Sequence, residues 1–223
     1  MLLAGMLDMG LPSAILMQVL QDLGLSGVKL TTHRVIRDSV SATQVWIEAD
    51  RSASCRSGRE LLHRVASSRL AHPIKRMVRS VIRMLVRAES KAHGVSMSRV
   101  LFHQLAGADT LVTIAGFCAG LTYFNIRAVY CSPIPVSHWH QDHHGRWRST
   151  PGPATRQLLH AFPTVKRQDR FEWVTPTAAA VLVALGTPQP APTFYVRKIG
   201  RGVGHRLAPA RSAGMLKLFL AAL

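Results

Sequence analysis

The chain has 223 residues, 48% apolar and 17% charged: enough to bury a sizeable core, and too apolar for a disordered polymer. No apolar run reaches the ~18 residues that span a membrane, and three distant cysteines (Cys55, Cys118, Cys131) without a CxxC pair exclude a disulfide-dense scaffold and a zinc ribbon. Lys and Arg number 28 against 11 Asp and Glu, and the resulting +17 attracts polyanions, phosphorylated small molecules or acidic membrane surfaces while repelling free metal cations.

Residues 1–9 and 12–24 read as two helical pieces broken at Gly10-Leu11-Pro12, with Ser13 as cap of the second and Leu16, Val19, Leu20 and Leu23 as its apolar face. Residues 27–37 and 40–49, rich in Val, Ile, Thr and Trp, predict an antiparallel hairpin turning at Asp38-Ser39. The Ser/Arg-rich stretch 51–58 reads as a loop. Residues 73–93 give the clearest helix, with Pro73 suited to its start and Gly94 to its stop. Met77, Val78, Val81, Ile82, Leu85 and Val86 make its apolar stripe. Arg76, Arg79, Arg83, Arg87 and Lys91 step by three and four along another face, which is either a solvated surface or a polyanion-binding ridge.

Residues 107–124 predict a buried helix, with Asp109 placed to cap it. A strand is expected over 126–136, a long polar loop over 137–153 and a short helix from Pro153 through His160. Thr175-Pro176 predicts an N-cap and first turn of a helix reaching about Leu185. Two late strands are expected over 193–199 and 215–222. Cys118 and Cys131 read as buried thiols of a reducing, cytoplasmic protein. The expected architecture is one α+β unit over 1–223, a mixed sheet with packed helices.

Two places can carry chemistry. Ser137-His-Trp-His-Gln-Asp-His-His144 concentrates four of the 11 histidines. Neutral imidazole suits nickel, zinc and copper, with Asp142 as a hard oxygen ligand or an acceptor behind an imidazole. Phe102-His-Gln-Leu-Ala-Gly-Ala-Asp109 places His103 and Asp109 around a small-residue turn. There is no phosphate loop, nucleophile elbow or HExxH helix.

Several segments resemble, in order, the nickel-insertion proteins of nickel-pincer cofactor biosynthesis, the LarC family. Met1–Gly10 is similar to the helix after the family's glycine-rich opening, and Arg87-Ala-Glu-Ser-Lys-Ala-His-Gly94 to its Ala-Glu-x-x-x-His-Gly segment. Phe102-His103 through Asp109 resembles Phe-His-Glu-x-Gly-Ala-x-Asp. Ser132–Pro135, His144-Gly145 and Pro151-Gly-Pro-Ala-Thr155 resemble its proline, His-Gly and Pro-Ala-Thr stretches. Glu172-Trp-Val-Thr-Pro-Thr-Ala-Ala-Ala180 resembles Glu-x-x-Thr-Pro-Thr-Gly-Ala-Ala, and Gly200–Gly204 its late glycine turn.

The resemblance implies a nickel chelatase of the lyase class. It would insert nickel into a pyridinium bisthiocarboxylic acid mononucleotide at the expense of CTP, with Mn or Mg. It implies His103, His143 and His144 as metal ligands with Asp109 and Gln104 beside them, and Glu172, Thr175 and Thr177 as substrate contacts. It also implies that the family's opening strand and its C-terminal nucleotide-binding domain are absent from this chain, so that a separately encoded C-terminal half is the expected partner. Gln104 stands where the family carries Glu, Ala106 and Ala178 where it carries Gly, and Thr113 at an acidic position, and Arg148 and Ser149 interrupt its proline pattern; these departures imply a weakened divalent site and impaired insertion. Two alternatives remain open from the residues themselves: a non-catalytic metal-binding or delivery module, and a basic nucleic-acid-associated protein. With 6% aromatic residues and no stacking motif, nucleic acid is not the expected partner, and neither is a membrane.

Overall fold

A computed structural model describes residues 1–49, 57–102, 107–137, 139–141, 147–160, 162–169, 171–205 and 214–222. It has the expected α+β architecture, a mixed four-stranded sheet with helices packed together on one face.

Helices α1 (Leu2–Asp8) and α2 (Ser13–Asp22) form where the apolar periodicity puts them. Ser13 does not cap α2: Pro12 occupies the cap position, and Ser13 is already helical. Strands β1 (Val28–Arg37) and β2 (Val40–Ala49) pair antiparallel over their whole length. Asp38 and Ser39 both take positive φ, 46° and 62°, the left-handed pair that matches a two-residue turn to the strand twist.

Helix α3 (Gly58–Ser67) occupies a segment whose charge hid its helical period, and Gly58, read as loop, is its first residue. Ser57 caps it, accepting from the Glu60 amide at 3.2 Å. Helix α4 (His72–His93) ends at Gly94, whose φ of 64° lets the chain leave the helix without a Cβ clash. Val78, Val81, Ile82, Leu85 and Val86 are buried along α4, each a side chain worth ~1.5–3 kcal/mol of transfer energy. Met77 is only half-buried at the edge of that stripe. Helix α5 (Ala108–Tyr123) is buried nearly all round, as an apolar helix without a polar face must be, and packs against α1, α2 and α4.

The expected strand over 126–136 shrinks to β3 (Ile134–Val136). Before it there is only a bridge between Tyr130 and Thr187, because among the described residues no strand runs beside 126–133 to pair with it. The expected loop over 137–153 contains a short antiparallel pair, β4 (Trp139–Gln141) and β5 (Trp147–Ser149). Helix α6 (Pro153–Leu159) follows, then β6 (Thr164–Lys166), which runs parallel to β3. Helix α7 (Pro176–Leu185) starts at the expected Thr175 cap.

Strands β7 (Tyr195–Val203) and β8 (Met215–Ala222) complete the large sheet in the order β1-β2-β7-β8, with β2 parallel to β7 and the outer pairs antiparallel. Gly200 and Gly202, read as part of a late turn, lie inside β7. Their lack of side chains admits α1: a Cβ on Gly200 would collide with the Gly5 carbonyl oxygen and lie 2.8 Å from Met9 Cβ. Asp8, at the end of α1, locks this docking. Its side chain is only 4% exposed. It accepts from Thr43 Oγ1 at 2.8 Å, from the Arg201 amide at 2.7 Å and from the Arg34 guanidinium. One carboxylate thus ties α1 to β1, β2 and β7. Among the described residues no helix is long and apolar enough to cross a membrane.

Candidate metal-handling site

The short parallel pair β3–β6 sets the geometry. The Ile134 amide donates to the Pro163 carbonyl at 2.9 Å and the Arg167 amide to the Val136 carbonyl at 2.8 Å, so both strands end at the same level. At that level Ser137, buried at 2% exposure, donates from Oγ to Asp169 Oδ1 at 2.6 Å. Trp173 Nε1 donates to the same oxygen at 2.7 Å, and Arg167 Nε donates to Oδ2 at 3.2 Å. The Arg167 guanidinium lies 4.9 Å from the centre of the Trp173 ring, and Phe171 meets that ring edge-on. Burial works to raise the Asp169 pKa. The hydrogen bonds from Ser137, Trp173 and Arg167, with the Arg167 charge, outweigh that and hold the carboxyl below its ordinary value. Asp169 is therefore an ionised anchor with both oxygens engaged, joining the start of the histidine-rich segment to the stretch that leads into α7.

That stretch carries the expected substrate contacts. Glu172 is half-buried next to Trp173. Thr175 accepts the Ala178 amide at 3.3 Å as N-cap of α7. Thr177, the second residue of α7, is mostly buried at 9% exposure. Asp109 is exposed in the first turn of α5 but is not its cap. Gly107 takes the cap position, and the Asp109 carboxylate folds back over it, where a Cβ on Gly107 would collide with it. A negative charge in that place complements the helix dipole without a capping hydrogen bond.

His103, Gln104, His143 and His144 lie outside the described residues. Among the described residues no group of three or more His, Cys, Asp or Glu is gathered to hold a metal. Cys118 is buried as expected, with its thiol pushed up to about 12 by burial. Cys131 is half-buried and not fully buried as expected, and burial raises its pKa as well. At both positions burial disfavours the thiolate. The Asp169 cluster escaped the sequence reading because Ser137 and Asp169 are 32 residues apart. Its one local signal is a single carboxylate among Lys166, Arg167 and Arg170.

A family model described as "Nickel insertion protein" matches residues 1–222. Curated relatives whose names carry nickel insertion include one from Synechococcus sp. (strain JA-3-3Ab), 38% identical over 215 residues, covering 94% of this chain and 54% of the relative. One from Geotalea daltonii is 34% identical over 210 residues, covering 92% and 54%. One from Thermomicrobium roseum is 32% identical over 213 residues, covering 94% and 52%. The chain thus spans about half the length of the curated relatives it matches. No solved structure matches it.

Proposed function

The chain belongs to the nickel insertion protein family, and from that premise we propose that it holds nickel as cargo and delivers it into an anionic small-molecule precursor. The observation that carries this reading is the family match, which runs through residues 1–222. The precursor is a pyridinium bisthiocarboxylic acid mononucleotide of nickel-pincer cofactor biosynthesis. Its thiocarboxylate sulfurs are soft donors with a strong preference for nickel. Its phosphate and thiocarboxylates are attracted by the +17 surface.

Nickel is held by the neutral imidazoles of His103, His143 and His144, with Asp109 as ligand or imidazole orienter and Gln104 as a weak amide ligand. Borderline nitrogen donors release the ion to sulfur more readily than a thiolate cage would. Glu172, Thr175 and Thr177 contact the precursor; the Asp169 anchor, which ties their segment to Ser137 at the start of the histidine-rich stretch, supports pairing the two. CTP, with Mn or Mg, drives the transfer, in the cytoplasm.

Calorimetric nickel titration tests the holding step. His103→Ala and His144→Ala are each expected to weaken binding by about tenfold or more, and wild-type affinity in both variants would overturn the assignment. Transfer to a synthetic pyridine dithiocarboxylate, followed by its nickel–sulfur absorbance with and without CTP, tests insertion. Stoichiometric nickel binding without transfer under any of these conditions would mark the chain as a delivery module instead.

A further inference from the structure

We propose that the outward face of α4 docks the phosphate backbone of duplex nucleic acid, independently of sequence. This goes against the expectation from composition, and it stands independently of the nickel reading. Arg76, Arg79, Arg83, Arg87 and Lys91 are all exposed. At 100° per residue they fall within an arc of about 120°, opposite the buried stripe of Val78, Val81, Ile82, Leu85 and Val86. They extend over about 22 Å of a single helix. None of the five makes an ion pair among the described residues. The only carboxylate of α4, Glu89, sits about 140° round from Arg76 and bonds His93 at 3.2 Å. Among the described residues, five cations are therefore lined up without a paired carboxylate along one helix.

Charge complementarity selects the partner. Four of the five are Arg, whose planar fork matches phosphate oxygens bidentately. Their repeat of about 6 Å along the helix suits a regularly spaced anionic chain. The arc holds no Phe, Tyr or Trp, and His72 at the first residue of α4 is its one ring, so it offers little platform for unstacked bases, which favours a duplex over a single strand. Apart from Pro73 in its first turn it holds no apolar residue to insert beneath lipid headgroups, because the apolar side of α4 faces the core. It also lacks the aromatic and apolar anchors of a protein–protein hot spot.

Fluorescence anisotropy with two labelled DNA duplexes of unrelated sequence tests this. Both duplexes should bind equally, with log K falling against log salt at a slope of about −4.5, as five neutralised phosphates require. The triple variant Arg79→Glu/Arg83→Glu/Arg87→Glu should reduce the slope to about −2 and weaken low-salt binding by about 100-fold or more. Its circular dichroism should stay unchanged, since the three side chains are exposed. Lys29→Glu/Arg69→Glu/Lys217→Glu alters the same charge at exposed sites elsewhere and should lose far less. Equal loss in the two triple variants would overturn the proposal, because net charge and not the α4 face would then be responsible. So would absence of duplex binding, or binding to polyglutamate or phosphatidylserine vesicles in preference to the duplex.

Discussion

Replacing Gly200 by Ala tests how the sheet receives its first helix. The added Cβ would meet the Gly5 carbonyl oxygen, the Gly5 carbonyl carbon at 3.1 Å and Met9 Cβ at 2.8 Å. Two of these three obstacles are backbone atoms, so no rotamer change relieves them and α1 must lift from β7. Overpacking a core typically costs 1–3 kcal/mol, and a backbone obstacle puts this change at the upper end, about 3 kcal/mol. For a chain of this size that corresponds to a drop of about 6–12 °C in Tm. Gly204→Ala is the matched control a few residues on. Among the described residues its Cβ would touch only Met1 side-chain atoms at 3.5 and 3.6 Å, ordinary contact distances, and its expected effect is within about 0.5 kcal/mol of zero. Thermal melts followed by far-ultraviolet circular dichroism compare the two. If Gly200→Ala melts within about 2 °C of wild type, α1 is not seated on β7 and the packing argument fails.

Asp8→Ala strands the Thr43 hydroxyl and the Arg201 amide around a buried position, while the 65% exposed Arg34 guanidinium returns to water; a loss of about 2 kcal/mol is expected, read as a lower urea midpoint at unchanged m. Thr155→Val should stabilise by up to about 1 kcal/mol, because its hydroxyl is fully buried with no hydrogen-bond partner among the described residues; a lower Tm would mean that the hydroxyl is in fact bonded. The Asp169 carboxyl is held below its ordinary value, so its contribution is fully present above the unfolded carboxyl pKa of about 3.9 and is lost only as pH falls through the lower folded value. The Trp173 indole N–H resonance should therefore keep its native position from neutral pH down to about 4 and move only below; movement near pH 6 would contradict the anchor.

The parts of the fold that were legible are those written locally. The α4 stripe with Gly94 after it, the Asp38-Ser39 turn and the Thr175-Pro176 start each sit within one stretch of chain, and each forms as expected. Helix α3 was not legible because Leu61, Leu62, Val65 and Ala66 are its whole apolar content amid Arg, Glu and His. Strand β6 is exposed at all three residues and exists only because β3 lies beside it, a fact no local pattern carries. Gly200 and Gly202 look like a turn in sequence; the structure makes them strand because α1 needs the space. In the candidate site, the Thr175 cap was readable from the cap-then-proline pattern. Asp109 was given a capping role that Gly107 takes, because Asp one residue inside a helix and Asp at its cap share the same composition signal. The Asp169 anchor depends on Ser137, and only the parallel pairing of β3 with β6 brings them together.

Nickel-edge X-ray absorption on the nickel-loaded chain tests the central claim most directly. The account expects a first shell of nitrogen and oxygen with the multiple-scattering pattern of imidazole, diminished when His103→Ala and His144→Ala are combined. A shell containing sulfur, or a spectrum that both substitutions leave unchanged, would contradict it.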